Sequence, residues 1–588
     1  MRVSNHIRSA VGSLSQHNGL SHDLLVTSDF GQLTPVVSMA LLPRDKFKID
    51  CNCFSRVAPM LFPTYGRCEV VTNFHQVRYN QVWRFFDDFV SGETTAGTTN
   101  LYFPSIELYN ILNFYNTDLY TYQGDADINN HDISFVQTNG VVAYKFLTVR
   151  GRYIRKVLTN LGYPFVKDVQ NEAFYKSRFL SALPLMCFFK IYHDFYESRQ
   201  YANTSFIGEV LLECFNGTGS TYWTTSTVGG RRILQLNVGT LNNLFNDLRL
   251  LFESDYFTSA QAYPSLVGGS KPISIPANTG VNGPAYQQNA LTQNSNYTYF
   301  QSAVSSNDGT LTNLVATQAN PMHRLLDNFE NLIRRYNLVG AREIDRIRSS
   351  FGITPKFAQS FYSEFIGGFK SPLRVQDITS TSTDPSADNY LGSYAGKGII
   401  SNDKSLTFES DDFGHLIGIS FIKIRPLYAP GLNREVLKLD YLSFYNPDFD
   451  HGYPMAVSLG EVKSLNIDGS MSLAQVFGYQ NSYDEYRFAS SRISGDFVDE
   501  DLHPWSFSRM NIGDVAQSNN VIYHSAPDNS DGSKPYNEFQ RIFTDGSGRD
   551  HFYLYYSFNI NALRPVRTSS ECFDLGVGNV HTSNNPLI

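Results

Sequence analysis

Two stretches of the sequence contain residue types that could bind a cation or a phosphate. Residues 125–132, DADINNHD, resemble the start of a calcium-binding loop, because oxygen-bearing side chains recur along them. They lack the glycine needed at the sixth position, and Val136 stands where a glutamate would complete the site. Residues 391–398, LGSYAGKG, resemble a phosphate loop but are one residue short between the glycines, and Gly398 replaces the magnesium-binding Ser or Thr. The second stretch is therefore interpreted as a glycine turn, and calcium is kept as a minor alternative at the first.

The six cysteines could in principle bind metal or form disulfides; they are Cys51, Cys53, Cys68, Cys187, Cys214 and Cys572. None belongs to a CxxC pair, and the C-x-C spacing of Cys51 and Cys53 falls outside the usual zinc patterns, even with Cys68 and His75 nearby. We therefore expect reduced thiols packed in a core. His75 is expected to be a hydrogen-bonded residue of a strand and not a ligand.

Neighbouring carboxylates occur at Asp411 and Asp412 and at residues 499–501. Glycoside hydrolysis needs two carboxyl groups facing each other across a cleft, which adjacency in sequence does not provide. The motifs of metalloproteases, serine hydrolases and dinucleotide-binding enzymes are also missing from the sequence. The sequence therefore predicts no enzyme, no cofactor and no catalytic residue.

Alternating apolar residues predict the strands that would position the cysteines, His75 and the carboxylates. Residues 33–79 contain three strand-like runs, of which 66–80 has two mixed faces and suits a sheet covered by protein on both sides. Residues 414–428 and 551–566 also alternate. Helices are predicted at 81–92, 150–164, 181–199, 241–260 with a break at Asp255, 321–337 and 341–352. Strands this widely separated predict a mainly β, antiparallel sandwich of jelly-roll type with long insertions.

The composition points to a surface that is extensively covered by protein. Aromatic residues make up 14% of the 588 residues and charged residues only 17%, against about 25% in an average soluble protein. Subunit contacts are one way to cover such a surface. The net charge of −8 argues against coating nucleic acid through overall charge. Because the sequence has no signal-peptide pattern and no apolar run of about 18 residues, we expect no membrane insertion.

Residues 477–497, FGYQNSYDEYRFASSRISGDF, have the composition of an arm. Their tyrosines and arginines are interleaved without a helical or strand period, a mixture enriched at subunit contacts. From composition alone, a loop packed on its own domain is the favoured interpretation. The candidate inter-subunit residues are Tyr479, Tyr483, Tyr486, Arg487 and Arg492.

The polar N-terminal residues 1–31 are predicted to form a flexible arm. Arg2 and Arg8 lie near its start and are candidate DNA contacts, with a solvated terminus as the alternative. Two later segments change in composition: residues 200–237 are rich in Thr, Ser and Gly, and residues 261–320 are rich in Asn, Ser and Gln and almost free of charge. Each is predicted to be an insertion into the domain formed by residues 32–588.

Seven sequence blocks occur in the order typical of one family. They are SDFGQLTPV, LLPRDKFKI, VAPMLFP, ALPLMCFFKIYHDFY, ESDYFTSA, the arm FGYQNSYDEYRFASSRISGDF and LRPV. In this order they resemble the major capsid protein of microviruses, the small icosahedral single-stranded DNA bacteriophages, and most closely the gokushovirus branch. The resemblance reverses the preference for the arm, which is now interpreted as an inter-subunit contact.

The resemblance implies an eight-stranded antiparallel jelly roll of viral capsid type, whose long insertions contain several helices. Copies would assemble into an icosahedral, T=1 shell around circular single-stranded DNA, in the cytoplasm of a bacterial host and then in the virion. The implied partners are further copies of the chain, a small basic DNA-packing protein, a pilot or minor capsid protein and a host-cell surface receptor. Residues 261–320, or alternatively 200–237, would form a threefold spike for host attachment.

The runner-up interpretation is an extracellular jelly-roll module that binds glycans, such as an adhesin. The lack of a signal peptide and the low cysteine content count against it. An enzyme on a jelly-roll scaffold ranks third.

Overall fold

The computed structural model describes residues 16–62, 64–91, 101–111, 119–122, 133–138, 141–147, 149–164, 178–198, 205–228, 231–246, 248–262, 301–304, 311–315, 347, 352, 362–373, 397–400, 405–429, 431–447, 450, 454–463, 475–498, 500–509, 512, 516, 519–524, 538–543 and 550–565. These residues form a mainly β structure with two large antiparallel sheets.

The strands follow one another from the beginning to the end of the described chain. In chain order they are β1 (Gln16–Gly19), β2 (His22–Ser28), β3 (Thr34–Leu41), β4 (Lys46–Val57), β5 (Cys68–Arg78), β6 (Phe103–Glu107), β7 (Leu119–Tyr122), β8 (Ile133–Thr138), β9 (Val141–Leu147), β10 (Phe179–Ser181), β11 (Trp223–Val228), β12 (Arg231–Leu236), β13 (Gln301–Val304), β14 (Leu311–Val315), β15 (Glu364–Leu373), β16 (Lys397–Ile400), β17 (Ser405–Glu409), β18 (Gly414–Ile424), β19 (Leu427–Tyr428), β20 (Pro454–Ser458), β21 (Val476–Asn481), β22 (Ser508–Arg509) and β23 (Phe552–Arg564).

The helices lie between these strands. The α-helices are α1 (Tyr79–Val82), α2 (Phe86–Ser91), α3 (Val149–Asn160), α4 (Leu183–Ile191), α5 (Phe206–Asn216), α6 (Val238–Leu244), α7 (Leu459–Val462) and α8 (Asn519–Ile522), and a π-helical turn, Tyr192–Tyr196, extends α4. Short 3-10 helices are Arg434–Leu437, Tyr441–Ser443, Asp484–Tyr486, Gly495–Val498, Glu500–Trp505 and Glu538–Ile542. Among the helices that the structure describes, none has the length and apolar character needed to cross a membrane.

Two sheets face each other across a shared core. In sheet I, β23 lies between β4 and the pair β1 and β2, and β16 and β17 pair with the other edge of β4. In sheet II the order is β15, β5, β18 and β3. The core between them includes Leu554 and Tyr556 from sheet I and Phe74, Leu416 and Ile422 from sheet II. The chain therefore forms a β-sandwich.

The strand predictions are confirmed where alternation was clearest. The predicted face of β23 is buried throughout, and it comprises Phe552, Leu554, Tyr556, Phe558 and Ile560. Along β5, Val70 and Phe74 belong to the core of the sandwich, whereas Val71 and Val77 belong to a second core. The prediction that this strand is covered by protein on both sides is therefore confirmed.

The second core lies on the outer side of sheet II. Ile417 and Phe421 of β18 pack there with residues of α3, α4 and α5. α4 begins with Pro184 in its first turn, and Phe188 is fully buried, as its aromatic stripe predicts. The long insertion after β5 thus covers sheet II with helices, because a half-apolar sheet face must bury itself against another layer.

Three boundaries differ from the sequence predictions. The single helix predicted at 81–92 is replaced by the two short helices α1 and α2, because the backbone becomes extended at Trp83, whose ring is fully buried. Among the described residues of the predicted helix 241–260, helix is confined to α6, which ends at Leu244. In the predicted N-terminal arm, 1–31, β1 (Gln16–Gly19) and β2 (His22–Ser28) are strands that pair with β23. Tertiary pairing determined each of these boundaries.

The two predicted insertions differ in how much of them the structure describes. Residues 205–228 and 231–237 include α5, β11 and β12, and Val210, Cys214 and Trp223 are fully buried. This segment therefore contributes to the second core, while much of β11 is exposed. Of residues 261–320, the structure describes 261–262 and the hairpin of β13 and β14. The predicted helices at 321–337 and 341–352 lie outside the described residues, apart from positions 347 and 352.

Candidate assembly surface

A two-stranded ribbon positions the first part of the predicted arm. β21 pairs with β20, so that Tyr479 lies opposite Ala456. On its other side, the backbone of Tyr479 exchanges two hydrogen bonds of 2.7 Å with the backbone of Gln261. Phe477 is buried in a third core together with Phe257. Residues 476–481 are therefore fixed within their own chain.

Tyr483 follows this ribbon and is fully buried, with 0% of its surface exposed. Its φ of 65° lies in the left-handed region, which is uncommon for a residue other than glycine. The centroid of its ring lies 5.3 Å from that of Tyr445 and 6.4 Å from that of Tyr486. The Tyr483 ring is thus packed inside its own chain, and a contact between Tyr483 and another subunit stays a prediction.

The two arginines of the arm also have partners in their own chain. Arg487 forms an ion pair of 2.7 Å with Asp484 and a second ion pair with Asp450. Arg492 donates a hydrogen bond of 3.0 Å to the carbonyl oxygen of Gly431. Both guanidinium groups therefore hold neighbouring loops together.

An exposed apolar surface lies beside the arm. In the described part of the chain, Leu439 and Tyr441 are the most exposed large apolar residues, at 89% and 84%. Tyr445, in the same segment of the chain, contacts the arm through its ring, whose centroid lies 5.9 Å from that of Tyr486. We call this group the assembly surface; its members are Val436, Leu439, Tyr441, Phe444, Tyr445, Tyr486 and Phe488. Exposed apolar patches of this kind mark protein contacts more often than free surface.

A buried cation holds the assembly surface in place. The Lys438 side chain is only 1% exposed, and its Nζ lies 3.3 Å from an oxygen of Glu485 and 3.0 Å from one of Glu435. The same Nζ donates a hydrogen bond of 2.8 Å to the Tyr486 hydroxyl. Lys438 therefore links the segment that carries Leu439 to the arm.

A second ion pair lies at the start of the same segment. Arg434 lies 3.0 Å from Glu461, whose side chain is 1% exposed and which accepts a hydrogen bond from the backbone of Ser458 at the start of α7. Burial raises the pKa of Glu461, and the charge of Arg434 opposes this shift. The segment that carries the exposed apolar residues is thus held by ion pairs and hydrogen bonds to the rest of the chain.

Residues 436–445 were not predicted to form a contact surface. Their sequence, VLKLDYLSFY, has apolar residues whose spacing fits neither a strand nor a helix over all ten residues. Such a run, within a chain of low charge, is the signal that could have identified an exposed contact.

The residues considered for metal chemistry have structural roles where they are described. Cys51, Cys53 and Cys68 lie in the core of the sandwich, as predicted, and burial raises the pKa of Cys53 to about 12. His75 is also buried and forms a hydrogen bond of 3.2 Å with the Tyr196 hydroxyl, which confirms its prediction. Within the described ranges, no group of three or more His, Cys, Asp or Glu side chains could hold a metal ion.

The neighbouring carboxylates of Asp411 and Asp412 accept hydrogen bonds from side chains of their own chain. Asp411 accepts two hydrogen bonds from Arg78, and Asp412 accepts one of 3.1 Å from Asn80. Residues 125–132, 391–396 and 499 lie outside the described residues, and so do Arg2 and Arg8.

Comparison with known proteins identifies the family. A family model described as capsid protein (F protein) matches residues 5–108 and 254–572, which together make up more than half of the chain. The chain belongs to this capsid protein family. The predicted resemblance to microvirus capsid proteins is confirmed, and the family membership makes the chain a structural, major capsid protein.

Individual relatives agree with the family. The capsid protein VP1 of Bdellovibrio phage phiMH2K is 22% identical over 511 residues, which cover 80% of each chain. Capsid protein VP1 of Chlamydia phage 1 is 27% identical over 167 residues, or 27% of each chain. Capsid protein VP1 of Spiroplasma virus 4 is 22% identical over 178 residues, which cover 30% of this chain and 31% of that protein. These matches do not support the adhesin alternative.

Membership in this family has two direct consequences. A capsid protein assembles with further copies, and it is a component of the virion. The family match leaves out residues 109–253, a region that contains the helices α3, α4 and α5. α3, α4 and α5 of the helical layer over sheet II thus lie outside the residues that the family model matches.

Proposed function

We propose that the capsid protein builds a closed icosahedral shell, of T=1 type, by burying the assembly surface against a neighbouring copy. The exposure of Leu439 and Tyr441 carries this proposal. Both residues follow the buried Lys438, so the surface is presented on an anchored segment and not on a loose loop. An ordered apolar surface binds at a lower entropic cost than a flexible one. Tyr486 takes part as an exposed arm residue, and Tyr479, Arg487 and Arg492 act by holding this region together.

We infer an eight-stranded jelly roll from the strand orders. The chain alternates between the sheets as it passes from β2 to β3, β4 and β5, and alternates again from β15 through β17 and β18 to β23. Sheet I has four strand positions, because β1 and β2 both pair with β23 and β16 and β17 both pair with β4, and sheet II has four strands. Two layers connected in this way follow the double Greek key of viral capsid domains. Residues 32–588 would then be a single domain with insertions, and β2, from the predicted N-terminal arm, would supply the eighth strand position.

We further propose that the shell encloses circular single-stranded DNA and is assembled in the cytoplasm of a bacterial host. The net charge of −8 supports the need for a small basic packing protein, because phosphate binding depends on cationic groups. Arg2 and Arg8 are proposed DNA contacts near the N-terminus. A pilot or minor capsid protein would complete the virion. The chain would have no catalytic activity, since its carboxylates at 411 and 412 are engaged in bonds within the fold.

Imaging of the purified capsid protein, co-expressed with its neighbouring genes, tests the assembly proposal. We expect uniform closed shells for the natural chain and few or none for the double variant Leu439→Asn and Tyr441→Asn. The matched control is Leu212→Asn on α5, where the leucine is 60% exposed, outside the assembly surface. The control should form normal shells. Normal shells from the double variant would refute a contact at this surface, and monomers alone from the natural chain would refute self-assembly.

Host attachment is proposed for residues 261–320, with a surface receptor as the partner and a gokushovirus-like threefold spike as the form; residues 200–237 are the second candidate. The low charge and the Asn and Ser content of 261–320 suit an adaptable contact. Deletion of residues 265–315 should leave shell formation intact and reduce adsorption to host cells. Loss of shells in this deletion would instead assign the segment a structural role.

A further inference from the structure

The outer face of sheet I carries a set of exposed rings beside a cation. β23 lies between β2 and β4, so Leu25 and Phe54 are the cross-strand neighbours of Tyr555. One step along, Thr27 and Arg56 are the neighbours of Tyr553. Because side chains alternate across a strand, these residues lie on the face opposite the core.

This face is solvent-exposed although it is strongly aromatic. Tyr553 is 46% exposed and Tyr555 is 41% exposed, while their neighbours along the strand, Leu554 and Tyr556, are buried. Residues two apart on a strand are separated by about 7 Å, so each tyrosine ring can receive a separate flat group. The outer face thus offers spaced stacking positions and not a continuous apolar surface.

The charges next to the rings are favourable for a phosphate at one end. The Arg56 guanidinium lies 6.0 Å from the centroid of the Phe54 ring, and within the described ranges no carboxylate forms an ion pair with it. By contrast, Lys46 at the far end of β4 is paired with Glu409 at 3.1 Å. Asp23 accepts a hydrogen bond from the Tyr555 hydroxyl, which raises the pKa of Tyr555. Arg56 is therefore the cation available beside the rings.

We propose that the outer face of sheet I binds single-stranded nucleic acid, with bases stacked on Tyr553 and Tyr555 and a phosphate bound by Arg56. Exposed aromatic rings combined with arginine are the groups that bind single strands without sequence preference, because every base has a flat face. The inference rests on the proposed enclosure of a single-stranded genome. It also orients the subunit, because the outer face of sheet I would line the interior of the shell.

Polar residues favour nucleic acid over a second protein copy at this face. Thr27 lies beside Tyr553, and Asn52 lies opposite Ser557, two positions along β23 from Tyr555. Asn559 and Asn561 continue the same face further along β23, and all four residues are exposed. A contact between copies would be expected to bury a more continuous apolar area, such as the assembly surface provides. The outer face of sheet I instead alternates rings with groups that remain hydrated.

The test is a titration of the full-length capsid protein with fluorescent oligo-dT, followed by anisotropy. The double variant Tyr553→Thr and Tyr555→Thr keeps residues that favour strands and removes both rings. We expect about a tenfold or greater loss of affinity, with the dependence on salt unchanged, because stacking releases no counterions. Arg56→Gln should weaken binding and reduce the slope of log affinity against log salt by about 0.7. Tyr553→Phe with Tyr555→Phe keeps the rings and should bind as the natural chain does.

Controls separate this proposal from the assembly proposal. Tyr65→Thr removes a tyrosine that is 63% exposed outside sheet I, and it should leave binding unchanged. Thermal unfolding identifies any variant that has lost its fold. If the natural chain and the ring double variant form shells and bind oligo-dT equally well, the nucleic-acid assignment is wrong. The assembly proposal is unaffected by that result. A ring variant that binds oligo-dT normally but no longer assembles would also overturn the nucleic-acid assignment, by showing that the face is a contact between copies.

Discussion

Tyr483 shows how a residue suited to an interface can serve the fold of its own chain. Its ring is fully buried against Tyr445, and its backbone has a left-handed φ of 65°. The left-handed turn directs the chain from β21 into the 3-10 helix Asp484–Tyr486. Its neighbour Tyr486 is 53% exposed and belongs to the assembly surface. Two tyrosines three positions apart therefore have different roles.

Tyr483→Ala should destabilise the folded monomer. Removing a buried aromatic ring leaves a cavity, and we expect the free energy of unfolding to fall by about 3 to 5 kcal/mol. Chemical denaturation of the unassembled chain measures this change. Tyr441→Ala is the matched control, because Tyr441 is 84% exposed and its loss should change the free energy of unfolding by less than about 0.5 kcal/mol. Equal stability of the two variants would contradict the buried position of Tyr483.

At the scale of elements, the segment from Arg434 to Tyr445 is held by charges instead of by regular hydrogen bonding. It contains two short 3-10 helices and meets the rest of the chain through Arg434 with Glu461 and Lys438 with Glu485. A lysine that is 1% exposed has lost nearly all of its hydration, so its partners must replace the bonds to water. The position of the assembly surface depends on these pairs.

Lys438→Met should loosen this segment and impair shell formation. The substitution keeps the length of the side chain but leaves the mostly buried carboxylate of Glu485 without its cation. We expect faster hydrogen exchange at residues 434–445 and 483–488, unchanged protection of β18 and β23, and fewer shells. Lys46→Met removes a lysine from a pair whose side chains are both 56% exposed, and exchange should not change there. Unchanged exchange in Lys438→Met would show that the ion pairs do not hold the segment.

At the scale of the whole molecule, buried polar groups connect distant parts of the chain. Asp29 follows β2 and lies 2.9 Å from Nδ1 of His551, which precedes β23. Lys156 of α3 forms an ion pair of 2.7 Å with Asp550. In sheet II, His415 bonds to the Ser38 hydroxyl at 2.8 Å and to the Tyr79 hydroxyl at 3.1 Å. The sandwich therefore contains titratable groups that must stay in one protonation state.

The capsid protein should lose stability as the pH falls below about 6.5. Burial lowers the pKa of His415 from 6.5 to about 4 and that of His524 to about 3. Below pH 6.5 the unfolded chain binds protons that the folded chain does not, so the free energy of unfolding decreases with pH. For His415 alone the loss reaches about 2 kcal/mol at pH 5.

Denaturation at pH 7 and pH 5 measures this dependence. His415→Gln should reduce the difference between the two pH values, whatever its effect at pH 7. His22→Gln, which replaces an exposed histidine, is the matched control and should retain the full difference. A pH dependence that is identical in the natural chain and in His415→Gln would show that His415 is not the responsible group.

The sequence by itself determined the central strands and the family. Alternation at period two is a local property, so the inward face of β23 and the two covered faces of β5 could be predicted from neighbouring residues alone. The order of the seven sequence blocks indicated a capsid protein, because residues shared with relatives are visible without a structure.

Only the tertiary structure decided which aromatic residues are available to a partner. Burial depends on contacts between residues far apart in sequence, as when Tyr483 meets Tyr445 and when Gln16 to Ser28 pair with β23. The exposure of Leu439 likewise follows from the burial of Lys438 against Glu485. Composition could predict that the capsid protein has a contact surface, but its location required the folded chain, because the same residue types occur on both sides of the boundary between core and solvent.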